Sequence, residues 1–131
     1  MGTERLFHTQ QVHYLRLTIG YANENETDIG SIPSGSLILR PMSGLHVSTA
    51  FNATTTNVLD VGLANDPDDP NLFATGIDLK STIPYLTFDE AATGYLVTHD
   101  VTVTCTVSHT GAVATAGSGE VFICYIPDND G

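Results

Sequence analysis

Short segments in which apolar and polar residues alternate recur along the chain, bounded by Gly, Pro, Asn or Asp. Alternation with period two and a high β-branched content are typical of strands, and no window of a dozen residues has a clear helical period. The pattern therefore predicts an all-β protein. The nine predicted strands are Val12–Ile19, Ser36–Arg40, Leu45–Phe51, Asn57–Gly62, Gly76–Leu79, Tyr85–Phe88, Tyr95–Thr98, Val101–Ser108 and Glu120–Ile126. Nine short strands with uneven loops favour a jelly-roll-like antiparallel β-sandwich over an up-and-down barrel.

The same alternation predicts which side chains face the core, because successive residues of a strand point to opposite sides of the sheet. The predicted inward-facing residues are Val47, Phe51, Leu59, Val61, Val103, Cys105, Val107, Phe122 and Cys124. The unbroken apolar run Leu37–Leu39 predicts a strand that is buried on both faces.

Four segments lack the periodicity of a strand. Residues 22–31, ANENETDIGS, are polar and acidic and predict an irregular loop. Residues 65–71, NDPDDPN, combine prolines with aspartates and predict an exposed loop. Residues 89–93, DEAAT, offer at most one helical turn. Residues 111–119, GAVATAGSG, predict a connection that is either flexible or ordered against a neighbour.

No repeat, low-complexity tract or linker divides the chain, so its 131 residues predict one domain. We expect an N-terminal arm at residues 1–11, a single β-sandwich domain at residues 12–127 and a C-terminal tail at residues 128–131. The arm carries the apolar pair Leu6 and Phe7 and has no obvious place in the sandwich core. We expect it to become ordered on a partner or to pair with a sheet edge.

Acidic residues dominate the charge: fifteen Asp and Glu against four Lys and Arg give a formal net charge of −11. This excess repels nucleic acid and anionic membranes. No apolar run approaches the roughly 20 residues that span a bilayer. The N-terminus lacks the apolar segment of a signal peptide, which indicates synthesis in a cytoplasm. We therefore expect neither nucleic acid nor a membrane as a partner.

Charged residues make up only 15% of the sequence, whereas soluble domains usually contain about a quarter. Part of the uncharged surface is therefore expected to be covered by copies of the chain or by a partner. Closed symmetry is the rule for soluble oligomers, so the composition predicts a homodimer or homotrimer.

The two cysteines, Cys105 and Cys124, lie within alternating segments, where a thiol usually behaves as a small buried hydrophobe. A hairpin between their strands would bring the cysteines near each other. Cross-strand geometry rarely suits a disulfide, and a reducing cytoplasm opposes one. No CxxC or Cys/His metal-binding pattern is present.

Carboxylates around the 65–71 segment are the first candidates for a metal site. Asp66, Asp68, Asp69 and Asp78 could supply oxygen ligands to Ca²⁺. Their spacing does not match an EF-hand, and the prolines limit how the segment can curl around an ion. The five histidines are His8, His13, His46, His99 and His109. No two of them are as close in sequence as the metal ligands of jelly-roll cupins, so we expect no metal and no cofactor.

Motifs for catalysis are missing from the sequence. Ser118 lies in AGSGE, which lacks the first glycine of GxSxG. Asp89 and Glu90 form a lone carboxylate pair on a predicted loop rather than a glycosidase arrangement. No glycine-rich phosphate-binding pattern occurs. Without tryptophan, the aromatic residues are expected in the core or in interfaces rather than on a sugar-stacking surface. The sequence predicts a protein that is not an enzyme.

Four segments carry a resemblance to a known class of proteins: IPSGSLILRP, GLHVSTAFNATTTNVLDVG, DPDDPNLFATGIDL and GEVFICYI. A Pro-Gly turn opens a strand, an AFN…TN.LDVG hairpin follows, a Pro/Asp loop leads to a small-apolar segment, and a Gly-led strand closes the series. This layout resembles the small virion structural proteins of tailed bacteriophages, of the type that decorates or cements the head. The resemblance covers about residues 32–79 and 119–126.

The resemblance implies a protein on the outer surface of a capsid that is assembled in the host cytoplasm. Its partner would be the major capsid protein, whose subunits it would bridge to stabilise the shell. The residues expected to contact that partner are Arg5, Leu6, Phe7, Asp66, Asp68 and Asp69. Two alternatives stay open: a tail- or neck-associated module that binds a receptor or glycan, and, less favoured, a small jelly-roll enzyme.

Overall fold

A computed structural model of the protein describes residues 11–22, 25–64, 68–88 and 94–128. A short 3₁₀ turn, Arg40–Met42, lies between the third and fourth of ten strands. The strands are β1 (His13–Gly20), β2 (Asn25–Ile32), β3 (Leu37–Leu39), β4 (Gly44–Thr49), β5 (Thr56–Leu63), β6 (Asp69–Asp78), β7 (Ile83–Thr87), β8 (Gly94–Leu96), β9 (Val101–Thr110) and β10 (Ser118–Ile126). The prediction of an all-β protein is confirmed.

The ten strands pair in a nested order. β1 pairs with β10, β2 with β9, β3 with β8, β4 with β7 and β5 with β6, and every ladder is antiparallel. The chain is therefore one long antiparallel ribbon whose tip is the β5–β6 pair. Further ladders from β10 to β3 and β4, and from β9 to β5, roll the ribbon into two sheets. Such a rolled ribbon is a jelly roll, which confirms the predicted fold class.

Sheet A contains β1, β3, β4, β7, β8 and β10, and sheet B has the order β2-β9-β5-β6. β10 is central in sheet A, with β1 on one side and β3 and β4 on the other. Apolar side chains from alternate positions meet between the sheets, among them Leu45 and Ile123 of sheet A and Leu59 and Val103 of sheet B. Burial of apolar surface, worth about 25 cal/mol per Å², is the main force that holds the two sheets together.

Most of the predicted core is confirmed. The residues that lie in the core as predicted are Val47, Phe51, Leu59, Val61, Val103, Cys105 and Val107. The prediction that Phe122 and Cys124 of β10 face the core is wrong. The residues of β10 that face the core are Val121, Ile123 and Tyr125. Phe122 is only half-buried, and Cys124 is buried but lies outside the core cluster. The segment VFICYI is apolar at every position, so sequence alternation could not set its phase.

The prediction that Leu37–Leu39 is buried on both faces is wrong. Ile38 is fully buried, whereas Leu37 is 36% exposed and Leu39 is intermediate. The reason is that β3 belongs to sheet A, where the side away from sheet B carries no second layer. Although the run is apolar at every position, Leu37 therefore lies on the outer surface.

β2 is a strand where the sequence predicted an irregular loop at residues 22–31. It pairs with β9 along its whole length, at the edge of sheet B. Glu26 and Asp28 lie opposite Thr106 and Thr104 on the polar side of the sheet. A register shift after Asp28 breaks the alternation that would have revealed the strand.

β6 begins at Asp69, inside the segment that was predicted as an exposed loop, so that prediction is wrong from Asp69 onward. β6 is an edge strand, where a proline such as Pro70 is tolerated because no ladder partner needs its missing N–H. Gly62 of β5 makes the close pairing possible, since a Cβ there would lie 2.1 Å from the Asp69 carbonyl oxygen.

The connection between β9 and β10 is ordered against its own chain. Asn52 accepts hydrogen bonds at Oδ1 from the backbone N–H groups of Thr115 (2.8 Å) and Ala116 (3.0 Å). The Thr54 hydroxyl oxygen accepts another from the N–H of Ala112 (3.1 Å). These bonds account for the order of a glycine- and alanine-rich segment without a partner. The predicted helical turn at residues 89–93 lies outside the described residues.

The two cysteines lie in different sheets, Cys105 in β9 of sheet B and Cys124 in β10 of sheet A. Their strands do not form a hairpin, since β9 pairs with β2 and β5 and β10 pairs with strands of sheet A. Both thiols are free and buried.

Candidate interaction surface

The strands of the two sheets differ in charge. Those of sheet A contain one acidic residue, Glu120, and one basic residue, Arg16, so their net charge is zero. Those of sheet B contain five acidic residues and no Lys or Arg. The five are Glu26, Asp28, Asp60, Asp69 and Asp78. Acidic charge within the strands is therefore concentrated in sheet B.

The outer side of sheet B is polar, and its carboxylates bond to neighbouring strands. The Thr104 hydroxyl of β9 donates to Oε2 of Glu26 on β2 over 3.4 Å. Oδ1 of Asp60 on β5 accepts from the backbone N–H of Gly76 on β6 over 2.6 Å. Among the described residues, this side of sheet B presents a polar, negatively charged surface without exposed large apolar side chains to anchor a partner.

The outer side of sheet A carries a cluster of aromatic side chains. Tyr85 of β7 lies over Gly44 of β4, and its ring centroid is 6.5 Å from that of Phe122. On the opposite side of Phe122, the guanidinium carbon of Arg16 lies 5.9 Å from the ring centroid. The Arg16 guanidinium also donates from Nε to Oε2 of Glu120. A planar cation beside an aromatic ring and a carboxylate is held in one orientation by both.

The Arg16–Glu120 pair leaves this surface without net charge. The hydrogen bond from Arg16 lowers the pKa of Glu120, and the same bond raises the pKa of Arg16. Arg16 is well exposed, so the pair adds little to stability. Its main effect is local neutrality in a strongly acidic molecule.

Cys124 is buried on this outer side rather than in the core. It lies opposite Tyr14 in the β1–β10 ladder, and a side-chain hydrogen bond joins the two residues. Burial raises the pKa of the Cys124 thiol, and the hydrogen bond from Tyr14 opposes that rise. Charge interaction with Cys124 in turn raises the pKa of Tyr14, and burial raises the pKa of Tyr85. The two tyrosines thus cover the thiol, although each is itself at least half exposed.

An aliphatic row continues the aromatic cluster toward the end of β10. Ile126, Leu37 and Leu96 are neighbours across β10, β3 and β8. Val12 directly precedes β1, in the outward-facing series that includes Tyr14 and Arg16. We call the exposed apolar residues on this side the apolar face: Val12, Tyr14, Leu37, Met42, Tyr85, Leu96 and Ile126. These seven are the majority of the ten large apolar residues that are exposed in the described parts of the chain.

Arg40 fixes the 3₁₀ turn that carries Met42. Its guanidinium is buried against the rings of both Phe73 and Tyr95, with centroid distances of 5.5 and 5.6 Å. The two rings are themselves in edge contact, 5.8 Å apart. The Tyr85 hydroxyl then donates to the Met42 carbonyl oxygen over 3.2 Å. These contacts hold Met42 beside the aromatic cluster, with its side chain exposed.

Of the residues predicted to contact a partner, the structure describes Asp68 and Asp69, and neither is part of this face. Asp68 is exposed just before β6, and Asp69 is half-buried at its first position, opposite Leu63. The other predicted contacts lie outside the described residues: Arg5, Leu6, Phe7 and Asp66. Of the predicted contacts that are described, Asp68 and Asp69 are adjacent in sequence and lie at one edge of sheet B.

The candidate metal ligands that the structure describes, Asp68, Asp69 and Asp78, do not form a metal site. Within the described residues, no three His, Cys, Asp or Glu side chains are close enough together to hold a metal ion. Asp78 instead accepts the backbone N–H of Lys80 at Oδ1 over 2.9 Å. His46 places Nδ1 3.0 Å and 2.9 Å from the carbonyl oxygens of Ile83 and Pro84. The described part of the chain also contains no helix that is long and apolar enough to cross a membrane.

Sequence reasoning missed the apolar face because it assigned aromatic residues to the core or to unspecified interfaces. The signal was present in the distribution of acidic residues. The segment around Arg16 has no carboxylate, and Glu120 is the only one in the last strand. The chain has fifteen acidic residues, so a surface whose outward positions are uncharged is one that a second acidic molecule can approach without electrostatic repulsion.

Solved structures that share this fold include chains from two phage capsids. A chain of the acidic stable capsid structure of Helicobacter pylori bacteriophage KHP30 matches with a TM-score of 0.68 and 20% sequence identity, over 90% of this chain and 90% of that chain. A chain of the cyanophage Pam1 capsid asymmetric unit matches with a TM-score of 0.54 and 21% identity, over 90% of this chain and 84% of that chain. No protein-family model and no curated protein matches the sequence. The likeness establishes the fold, and both neighbours come from phage capsids, in agreement with the predicted resemblance.

Proposed function

We propose that this chain is a structural protein of a bacteriophage virion and that it decorates the outside of the capsid. The observation that carries the proposal is the jelly-roll fold, shared over 90% of the chain with chains from two phage capsid structures. A packing role rather than catalysis also agrees with the candidate surface. Its charged pair, Arg16 and Glu120, is internally neutralised, and its thiol, Cys124, is covered.

The charge of the chain supports a position on the outside of the shell. A formal charge of −11 would be repelled by packaged nucleic acid on the inner side. The polar outer side of sheet B, with Glu26, Asp28 and Asp60, is suited to face water. The protein would then stabilise the shell by bridging neighbouring subunits of the major capsid protein.

The proposed contacts with the capsid are the N-terminal arm, through Arg5, Leu6 and Phe7, and the start of β6, through Asp68 and Asp69. An arm that becomes ordered on the shell gives up conformational entropy and gains contacts with a second subunit. Two or more such attachments per oligomer multiply the effective affinity without requiring a large single interface.

Reconstitution tests this proposal. Expanded capsids assembled from the major capsid protein of the same virion, without this chain, are mixed with the purified protein. We expect saturable co-sedimentation, additional density on the outer surface in electron cryo-microscopy, and genome release at a temperature several degrees higher. Absence of binding contradicts decoration. Density confined to the neck or tail of complete virions contradicts it too, and supports the alternative of a tail- or neck-associated module.

A further inference from the structure

The apolar face is large enough to form one side of a stable interface. β10 is nine residues long, and four strands of sheet A lie side by side there. At ~3.3 Å per residue and ~4.8 Å per strand, the projected area is on the order of 500 Å², and the corrugated side chains present more. A standard interface buries about 800 Å² per partner, and the minimum for a biological interface is about 1,000 Å² in total, or about 500 Å² from each of two copies. The face is therefore of the size that protein–protein contact requires.

Charge restricts which partner can cover this face. A second copy of the chain also has a net charge of −11, so most approaches between two copies bring like charges together. Contact through sheet B would oppose the carboxylates of its five acidic strand residues. Contact through sheet A opposes strands whose net charge is zero, because Arg16 neutralises Glu120. Among the outer sides of the two described sheets, the apolar face is the one on which two copies can meet without this repulsion.

We propose that a second copy of this chain covers the apolar face, with sheet A packed on sheet A about a two-fold axis. In a two-fold interface the same patch serves both partners, so an apolar face need only match itself. Facing sheets pack about 10 Å apart, with side chains from both interdigitating. Tyr14, Tyr85 and Met42 supply the aromatic and methionine side chains that are enriched at interface centres. This inference concerns the free protein and does not depend on the proposed capsid binding.

A pair of charge-matched double variants tests the proposal on purified protein without capsids. Met42→Glu with Leu96→Glu places two carboxylates on the apolar face. Tyr21→Glu with Val113→Glu adds the same charge at exposed apolar positions outside it. In light scattering and analytical ultracentrifugation, we expect the wild-type chain to have twice the mass of the 13.9 kDa monomer. We expect the face variant to dissociate at least tenfold more readily and the control to stay within about twofold of wild type.

Hydroxyl-radical footprinting gives a second measurement. It uses the wild-type protein, so misfolding of a variant cannot affect the result. On raising the concentration, we expect protection of Tyr14, Met42 and Tyr85, with Tyr21 and Val113 unchanged. A wild-type chain that stays monomeric at micromolar concentration overturns the proposal, as does an oligomer that the face variant leaves intact. Protection that is independent of concentration and disappears on deletion of residues 2–10 would assign the face to the arm instead. Protection that appears only with capsids would assign it to the coat protein.

Discussion

At the residue scale, Cys124 is buried on the outer side of sheet A, away from the core between the two sheets. Among the described residues, no second sheet lies above the thiol, yet it is fully buried, because Tyr14 on β1 and Tyr85 on β7 cover it. Cys105 is buried differently, within the core between the sheets, and burial raises its pKa to about 12. A raised pKa leaves little thiolate, the reactive form, at neutral pH. Both thiols should therefore be inert in the folded protein, for different structural reasons.

Replacing Tyr14 tests this difference. Tyr14→Ala removes a cover of Cys124, so we expect the reaction of one thiol per chain with a chromogenic disulfide to accelerate at least tenfold at neutral pH. Tyr14→Phe keeps the ring and should react like wild type, since the cover is mainly steric. Cys105 is the internal control and should react only on unfolding in urea. Release of two thiols at once, or no acceleration of either, would contradict the position of Cys124 on the outer face.

At the element scale, the sequence identified strands well where one face is apolar and the other polar. β9 is an example: Val101, Val103 and Val107 alternate with threonine and serine, and the prediction of its core residues is confirmed. The sequence pattern did not predict which side chains of β10 face the core, because its apolar run has no alternation. It also did not predict β2 as a strand, because a bulge interrupts the alternation at an acidic sheet edge. In both, pairing with a partner strand decides the structure, and such long-range pairing is not visible in a local pattern.

The apolar face was not predicted for the same reason. Its residues come from β1, β3, β7, β8, β10 and the 3₁₀ turn, so no segment of the sequence contains more than a few of them. The β1–β10, β10–β4 and β4–β7 ladders together bring Tyr14, Tyr85 and Phe122 to one side of sheet A. The predicted contact residues, by contrast, belong to two continuous segments of the sequence, residues 5–7 and 66–69.

Two strand glycines provide a test of how closely sheet A is packed. A Cβ on Gly44 would lie 2.2 Å from the Leu86 carbonyl oxygen and 2.9 Å from the Tyr85 ring. Gly44→Ala must therefore displace the backbone of β7, and we expect it to lower the free energy of unfolding by about 1–3 kcal/mol. It should also disturb the Tyr85 ring over Phe122.

Gly94→Ala is the matched control, because a Cβ there meets the flexible end of Leu37 at 2.9 Å and backbone only at 3.4 Å. We expect a change within about 1 kcal/mol, since the reduced entropy of the unfolded chain offsets part of the crowding. Urea unfolding followed by circular dichroism measures both variants. Equal destabilisation by the two substitutions would show that the β4–β7 contact is not the tight one.

At the scale of the whole molecule, the nested ribbon places the two ends of the described chain side by side. His13 at the start of β1 pairs with Tyr125 near the end of β10. The two ends of the described chain, residues 11 and 128, therefore lie at the same end of sheet A. In an oligomer that buries the apolar face, the N-terminal arm of each subunit would begin at that end of sheet A. Several arms per oligomer would allow attachment to a shell at several points.

Deleting residues 2–10 tests whether the arm is the anchor. We expect the truncated chain to keep its circular dichroism spectrum and its oligomeric mass, because every described residue of the core and of the apolar face lies within residues 12–127. Binding to expanded capsids should weaken at least tenfold, which corresponds to about 1.4 kcal/mol, since each arm lost removes one attachment per chain. Asp68→Asn with Asp69→Asn, measured in parallel in the full-length chain, reports the separate contribution from the start of β6. If the truncated protein decorates capsids as tightly as the full chain, the arm is not the anchor, and the segments at residues 65–71 and 111–119 become the next candidates for the capsid contact.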